Sequence, residues 1–189
     1  EQLVGRFIKD KRDEIFLASK QSANAEKAKY AEGIEKSLRR LATDHIDLYY
    51  IHWPRRGVDL RPTMEALLEA KEAGKIGAVG VSNFSVEQME EARSVGPVDA
   101  HQRCYNLLWR WDESEIIPYC RKHDIAYVSY SSLAQGILTG KFPRNPEFAE
   151  GDDRPKTTLF GPDVWPHVYE AVEERSEEHT SELQSLLII

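Results

Sequence analysis

Five apolar stretches, each separated from the next by a helix-like stretch, set the tightest limit on what this chain can become. "EIFLAS" begins at residue 14, "IDLYYI" at 46, "GAVGVS" at 77, "VDAHQRC" at 98 and "IAYVSYSSL" at 125. Parallel strands cannot be joined by a hairpin; they need a crossover of a dozen or more residues, usually a helix. The spacing here leaves room for one crossover per strand and little else, which is the rhythm of a parallel α/β sheet. Two architectures satisfy it, an open doubly wound sheet and a (β/α)8 TIM barrel. A dinucleotide-binding open sheet carries G-x-G-x-x-G after its first strand. Neither that pattern nor G-x-x-x-x-G-K-[ST] occurs in this sequence. The barrel is favoured, and since a full one takes about 250 residues, five units make a partial barrel.

The intervening stretches read as helices with identifiable ends. Asn24 is a candidate N-cap for a helix whose Ala28, Ala31, Ile34, Leu38 and Leu41 recur at three- and four-residue spacing. Pro62 suits a first helical turn, Met64, Leu67 and Leu68 form an apolar stripe, and Gly74 offers a C-terminal cap. Ser85 with Gln88 has the capping-box spacing. Asp112 with Glu115 is expected to start another helix, with Pro118 inside it as a source of a kink. From Phe142 the periodicity fails, and "PRNPEFAEGDDRPKTTLFGPDVWP" reads as a long loop before "HVYEAVEE" resumes a helix.

Composition narrows the function classes. A hydrophobic content of 41% with 30% charged residues, over 189 residues, is that of a globular chain. The net charge of −7 argues against a general nucleic-acid binder. No 18-residue apolar run suggests a membrane span, and no secretory-signal pattern is present. Cys104 and Cys120, with no C-x-x-C, read as reduced thiols of a cytoplasmic protein. His45, His101, His123 and His167 have no spacing that supports a metal site, so no metal is expected.

The strand ends carry the chemistry. "IDLYYIHWP" is apolar until it terminates in the titratable His52, followed by Trp53 and Pro54. The other strands end in Lys20, in Ser82 and Asn83, in Gln102, and in Tyr130 and Ser131. One polar tip has a bland explanation, as a solvated lysine, a structural histidine or turn residues. Five in succession point to a shared face, and in a barrel the C-terminal strand ends form the face that holds the active site.

"IFLASK", "SLRRLATDHIDLYYIHWP", "GKIGAVGVSNFS", "QRCYNLLWR" and "YSSLAQGILTGK" resemble, in order and spacing, successive signatures of the aldo-keto reductases. The resemblance covers about residues 1–174 and implies a partial TIM barrel, roughly strands 3 to 7. It also implies reduction of aldehydes and ketones to alcohols with NADP(H) bound across the strand-end face. By the same resemblance Lys20 and His52 are catalytic, and Ser82, Asn83 and Gln102 hold the nicotinamide carboxamide. Tyr130 stacks on the nicotinamide ring, Ser131, Leu133, Gln135 and Lys141 wrap the cofactor phosphates, and Trp53 walls the substrate pocket. The chemistry fits these residue types. A lysine cation lowers the pKa of a tyrosine acid, and a neutral imidazole orients a carbonyl oxygen.

The resemblance also implies what precedes the matched segment. In the family, the catalytic tyrosine and the aspartate that pairs with the lysine lie upstream of the region matching Glu1, and Tyr30, Tyr49 and Tyr50 do not occupy their places. The expectation is a partner set of one small carbonyl substrate, without nucleic acid or membrane. Two alternatives remain: a channel β-subunit of the same fold, which lacks histidine at the position of His52, and a Schiff-base aldolase barrel using Lys20. The run "RSEEHTSELQS", residues 175–185, resembles the translation of a sequencing adapter. Residues 175–189 are therefore expected to be a non-native tail.

Overall fold

The structure, a computed structural model, describes residues 1–186, with side chains through Arg175. Five strands form one parallel sheet in sequence order: β1 (Ala18–Gln21), β2 (Ile46–Ile51), β3 (Ile76–Ser82), β4 (Ala100–Cys104) and β5 (Ala126–Tyr130). Helices α2 (Lys27–Leu41), α3 (Arg61–Glu72), α4 (Val86–Arg93) and α5 (Ile116–Lys122) make the four crossovers, preceded by α1 (Gln2–Ile8). Strictly sequential order of parallel strands is what a barrel wall requires and what an open sheet with a strand-order reversal lacks. The expected partial barrel is the fold found.

Two compact units divide the chain. The first comprises Glu1–Cys104 with Trp111–Tyr130, and the second comprises Tyr105–Arg110 with residues 131–189. In the first unit the sheet has two distinct faces. Gln21 Nε2 donates to the Tyr30 carbonyl on α2 at 2.7 Å, and the Tyr49 hydroxyl lies 3.0 Å from Ser37 Oγ on the same helix. Those side chains mark the helix-facing side, where Tyr30, Ile34 and Leu41 of α2 and Met64 and Leu67 of α3 pack on Tyr49, Ile51, Val79 and Val81. Fully burying an aliphatic side chain of this kind stabilises by about 1.5–3 kcal/mol. By strand alternation, Lys20, Leu48, Tyr50, Gly80, Ser82, Ala100 and Gln102 face the other way. Leu48, Tyr50 and Ala100 form a small cluster there, and Gly80 is required because a Cβ would meet the Tyr50 ring at 2.3 Å.

Several helix ends follow the sequence reading. Ser85 Oγ accepts from the Gln88 N–H while Gln88 Oε1 accepts from the Ser85 N–H, completing the capping box. Pro62 sits in the first turn of α3, and Gly74, at φ 71°, follows its last turn.

Four expectations are corrected. The first strand starts at Ala18, and Arg12–Glu14 form a 3-10 turn instead. Arg12 ties this turn down by donating to the Ile15 and His45 carbonyls and to Asp47, while the Leu17 N–H goes to Asp47 Oδ2 at 2.7 Å. Asn24 does not cap α2. Its Oδ1 accepts from the Glu26 N–H, and its own N–H and carbonyl bond the Thr63 hydroxyl of α3. Asp112 does not start α5, because its carboxylate is taken by Arg103. The helix begins at Ile116, which puts Pro118 in the first turn, where its missing N–H breaks no helical bond and no kink follows.

The stretch after Phe142 is the long loop expected. It holds 3-10 turns at Arg154–Lys156 and Thr158–Phe160 and leads into α6 (Trp165–Leu186), the expected final helix. Phe142, Phe148, Phe160, Trp165 and Tyr169 stack edge-on and face-on at centroid distances of 4.8–6.3 Å. Ring packing orders this stretch without periodic secondary structure. The side chains of the expected non-native tail beyond Arg175 lie outside the described residues.

Candidate active site

The C-terminal ends of β1 to β5 bring six of the expected site residues onto one face of the first unit. Lys20, on the exposed edge strand, donates from Nζ to Gln102 Oε1 at 3.2 Å. That contact crosses two intervening strands, which demands that the sheet curve toward this face. His52 follows β2 directly, and its N–H continues the ladder to the Gln21 carbonyl at 2.8 Å. Its imidazole is held below its ordinary pKa of 6.5 by burial and by the Lys20 charge, so it is neutral near pH 7. The Trp53 ring, 47% exposed, stands with its centroid 5.9 Å from that of His52.

Asn83 is the hub. It adopts the left-handed region at φ 62°, which asparagine tolerates better than most residues. In that conformation its Nδ2 donates to the His52 carbonyl at 3.1 Å and to Ser82 Oγ at 3.0 Å. Its Oδ1 accepts from the Tyr130 hydroxyl at 2.8 Å, and its own N–H reaches the Gln102 carbonyl at 3.1 Å. Four strand ends are thereby tied through one residue, three by its side chain and the fourth by its backbone. Burial raises the Tyr130 phenol above its ordinary pKa, so it remains a donor.

Ser131, Leu133, Gln135 and Lys141 belong to the second unit. The segment is sharply turned: Ser131, Ala134 and Gln135 have φ of 54°, 49° and 58°, and Gly136 has 96°. The φ of Gly136 is one that side chains rarely adopt, and the end of the Lys141 side chain packs over its bare Cα, where a Cβ would lie 2.9 Å from Cε. Leu133 is exposed, and Asn106 secures the start of the turn by donating to the Ser131 carbonyl at 3.1 Å.

Sequence reasoning passed over the residues behind the site. Arg103 forks onto Asp112 through Nε at 2.8 Å and Nη2 at 2.7 Å, and the Tyr127 hydroxyl donates to the same carboxylate at 2.9 Å. Burial alone would raise the Asp112 pKa, but these two partners hold it below the ordinary value. His101, fully buried, accepts from the Phe84 N–H through Nε2 at 3.2 Å. The only trace of these groups in the sequence is that His101 and Arg103 alternate with Gln102. Metal-holding clusters of His, Cys, Asp or Glu are absent among the described residues.

Carboxamide and hydroxyl side chains thus gather beside a lysine and a neutral imidazole at the C-terminal strand ends of a parallel barrel wall, the face on which barrels place their active sites. The chain belongs to the aldo/keto reductase family, whose model matches residues 1–187. It is 43% identical over 164 residues to aldo-keto reductase YhdN of Bacillus subtilis, covering 81% of this chain and 49% of that protein. It is 36% identical over 176 residues to aldo-keto reductase yakc [NADP(+)] of Schizosaccharomyces pombe, covering 85% of this chain and 52% of that protein. Among solved structures, the glycerol dehydrogenase of Gluconobacter oxydans superposes with a TM-score of 0.85 at 33% identity, covering 92% of this chain and 57% of that one. The chain thus spans about half the length of the curated relatives it matches.

Proposed function

We propose that this chain carries the cofactor-carboxamide clamp and part of the catalytic face of an NADP(H)-dependent reductase of small aldehydes and ketones. The Asn83 hub carries the reading. The Asn83 amide N–H groups are spent on His52 and Ser82, but Asn83 Oδ1 and Gln102 Oε1 each accept one bond and keep a second lone pair, and Gln102 adds an amide N–H on the same face, the complement a primary carboxamide needs. When bound, the reduced dinucleotide supplies the hydride that turns a carbonyl carbon into an alcohol.

The residues of this chain supply the surroundings of that step. His52, neutral near pH 7, donates a hydrogen bond that orients the carbonyl oxygen. Lys20 places a cation beside the same spot and favours the ionised form of the acid that protonates the oxygen. Tyr30, Tyr49 and Tyr50 do not serve as that acid, since all three are buried and burial raises each phenol. Tyr130 offers the nicotinamide ring a flat neighbour, Trp53 walls the substrate side, and Ser131, Leu133, Gln135 and Lys141 receive the phosphates. The name of the fission-yeast relative carries NADP(+), which supports the phosphorylated dinucleotide.

Binding of NADPH to the 189-residue chain, followed by tryptophan fluorescence, tests this reading. Asn83→Ala is expected to weaken binding about tenfold, since it removes hydrogen bonds on both sides of the clamp. A folded chain that shows no NADPH binding overturns the proposal.

A further inference from the structure

We propose that His101, from the helix-facing side of β4, is a positioning residue that locks the turn carrying Asn83, and so sets the carboxamide clamp from behind the sheet. The inference deepens the functional reading above and rests on it for the identity of the clamp. Asn83 works as a hub only while its backbone stays left-handed at φ 62°. The next residue, Phe84, is fully buried, and both of its peptide groups are held by side chains of β4. Its N–H donates to His101 Nε2 at 3.2 Å, and its carbonyl accepts from Arg103 Nη1 at 3.4 Å. His101 and Arg103 flank Gln102 in sequence, so one strand supplies Gln102 to the front face and the two locks to the back.

The geometry also fixes the imidazole's tautomer. Nε2 accepts from a peptide N–H and is therefore unprotonated, so the ring hydrogen sits on Nδ1. Nδ1 lies 3.8 Å from the Cys120 sulfur of α5, a weak acceptor that suits an N–H donor. Arg103 is fixed in turn by its fork onto Asp112, which Tyr127 also holds. A protonated or Nε2–H histidine would leave the Phe84 N–H facing a donor in a dry site, and the Asn83 turn would lose its fixed entry.

Two substitutions and one measurement on the unmutated chain decide the matter. His101→Phe keeps a ring of similar size and removes the acceptor. His101→Gln places a carbonyl oxygen where Nε2 stood. The expected result is faster hydrogen exchange of the Phe84 amide and about tenfold weaker NADPH binding in His101→Phe, with both restored in His101→Gln. Equal behaviour of the two variants, or wild-type binding by a folded His101→Phe chain, overturns the proposal. Should His101→Phe fail to fold, nitrogen-15 NMR of the unmutated chain decides through the tautomer: a proton on Nδ1 supports the lock, and one on Nε2 overturns it. The exchange and tautomer arms involve no cofactor. A chain that keeps the lock yet binds no NADPH therefore refutes the functional reading and leaves this one standing.

Discussion

The two units of this chain hold their loops in place by opposite means. In the first, the turn after β3 and the loop before α5 are fixed by buried polar side chains: His101 and Arg103 on Phe84, and Arg103 with Tyr127 on Asp112. In the second, the stretch from Phe142 to Tyr169 is fixed by ring faces, the Arg144–Glu170 pair stays in water, and Arg154 with Asp152 lies partly covered against the rings. Buried hydrogen-bonded charges are directional and costly to break, whereas ring clusters tolerate small shifts and give surface pairs little to do. The turn carrying Asn83 has the first kind of support, and the stretch from Phe142 to Tyr169 has the second.

Removing a buried carboxylate is the hardest test of that contrast. The Asp112 side chain is only 5% exposed, and Asp112→Ala leaves the Arg103 guanidinium and the Tyr127 hydroxyl without their acceptor. The expected loss is about 3–5 kcal/mol of unfolding free energy in denaturant titrations. A loss below 1 kcal/mol would mean that water replaces the carboxylate, and that the first unit does not depend on this network.

Acid should reach the first unit through His101. Burial and the Arg103 charge, opposed in part by Asp112, lower its pKa from 6.5 to about 4, with the Cys120 thiol facing its other nitrogen. Between those pH values the unfolded chain binds the proton and the folded one does not, so stability rises with pH across that window. The contribution is fully present above pH 6.5, drains away as the pH falls to about 4, and amounts to about 3 kcal/mol in all. His101→Gln removes the titration, and its stability curve should be flatter over the same window. An unchanged slope in that variant would assign the acid sensitivity to other groups.

How much of this could be read from the sequence follows the same division. The strands and their polar ends were legible because alternation and the strand-helix rhythm are local signals, and "YIHWP" and "VSNFS" sit where those signals stop. Asp112 reads as a helix start, because a carboxylate before a helix looks the same in sequence whether it opens the helix or pairs with an arginine of the preceding strand. His101 carried no signal, since its value lies in a peptide N–H that only the folded turn brings to it. The long loop is legible as loop, but the packing that orders it is not, because contacts among Phe142, Phe148, Phe160 and Trp165 follow no period.

The smallest expected effect is also the sharpest probe of the second unit. Arg154 lies 5.2 Å and 5.4 Å from the Phe142 and Phe148 ring centroids and is paired with Asp152, whose carboxyl it holds down to about 2. If ring packing carries this unit, the cation is a passenger on the rings, and Arg154→Met, which keeps an apolar stem against them, should change little. The Trp165 indole N–H, which donates to the Arg144 carbonyl at 2.7 Å, reports on the cluster directly. Its hydrogen exchange is expected to stay as slow in Arg154→Met as in the unmutated chain. Fast exchange there would show that a charge organises the second unit after all, and the two units would then be held by the same kind of force, differing only in burial.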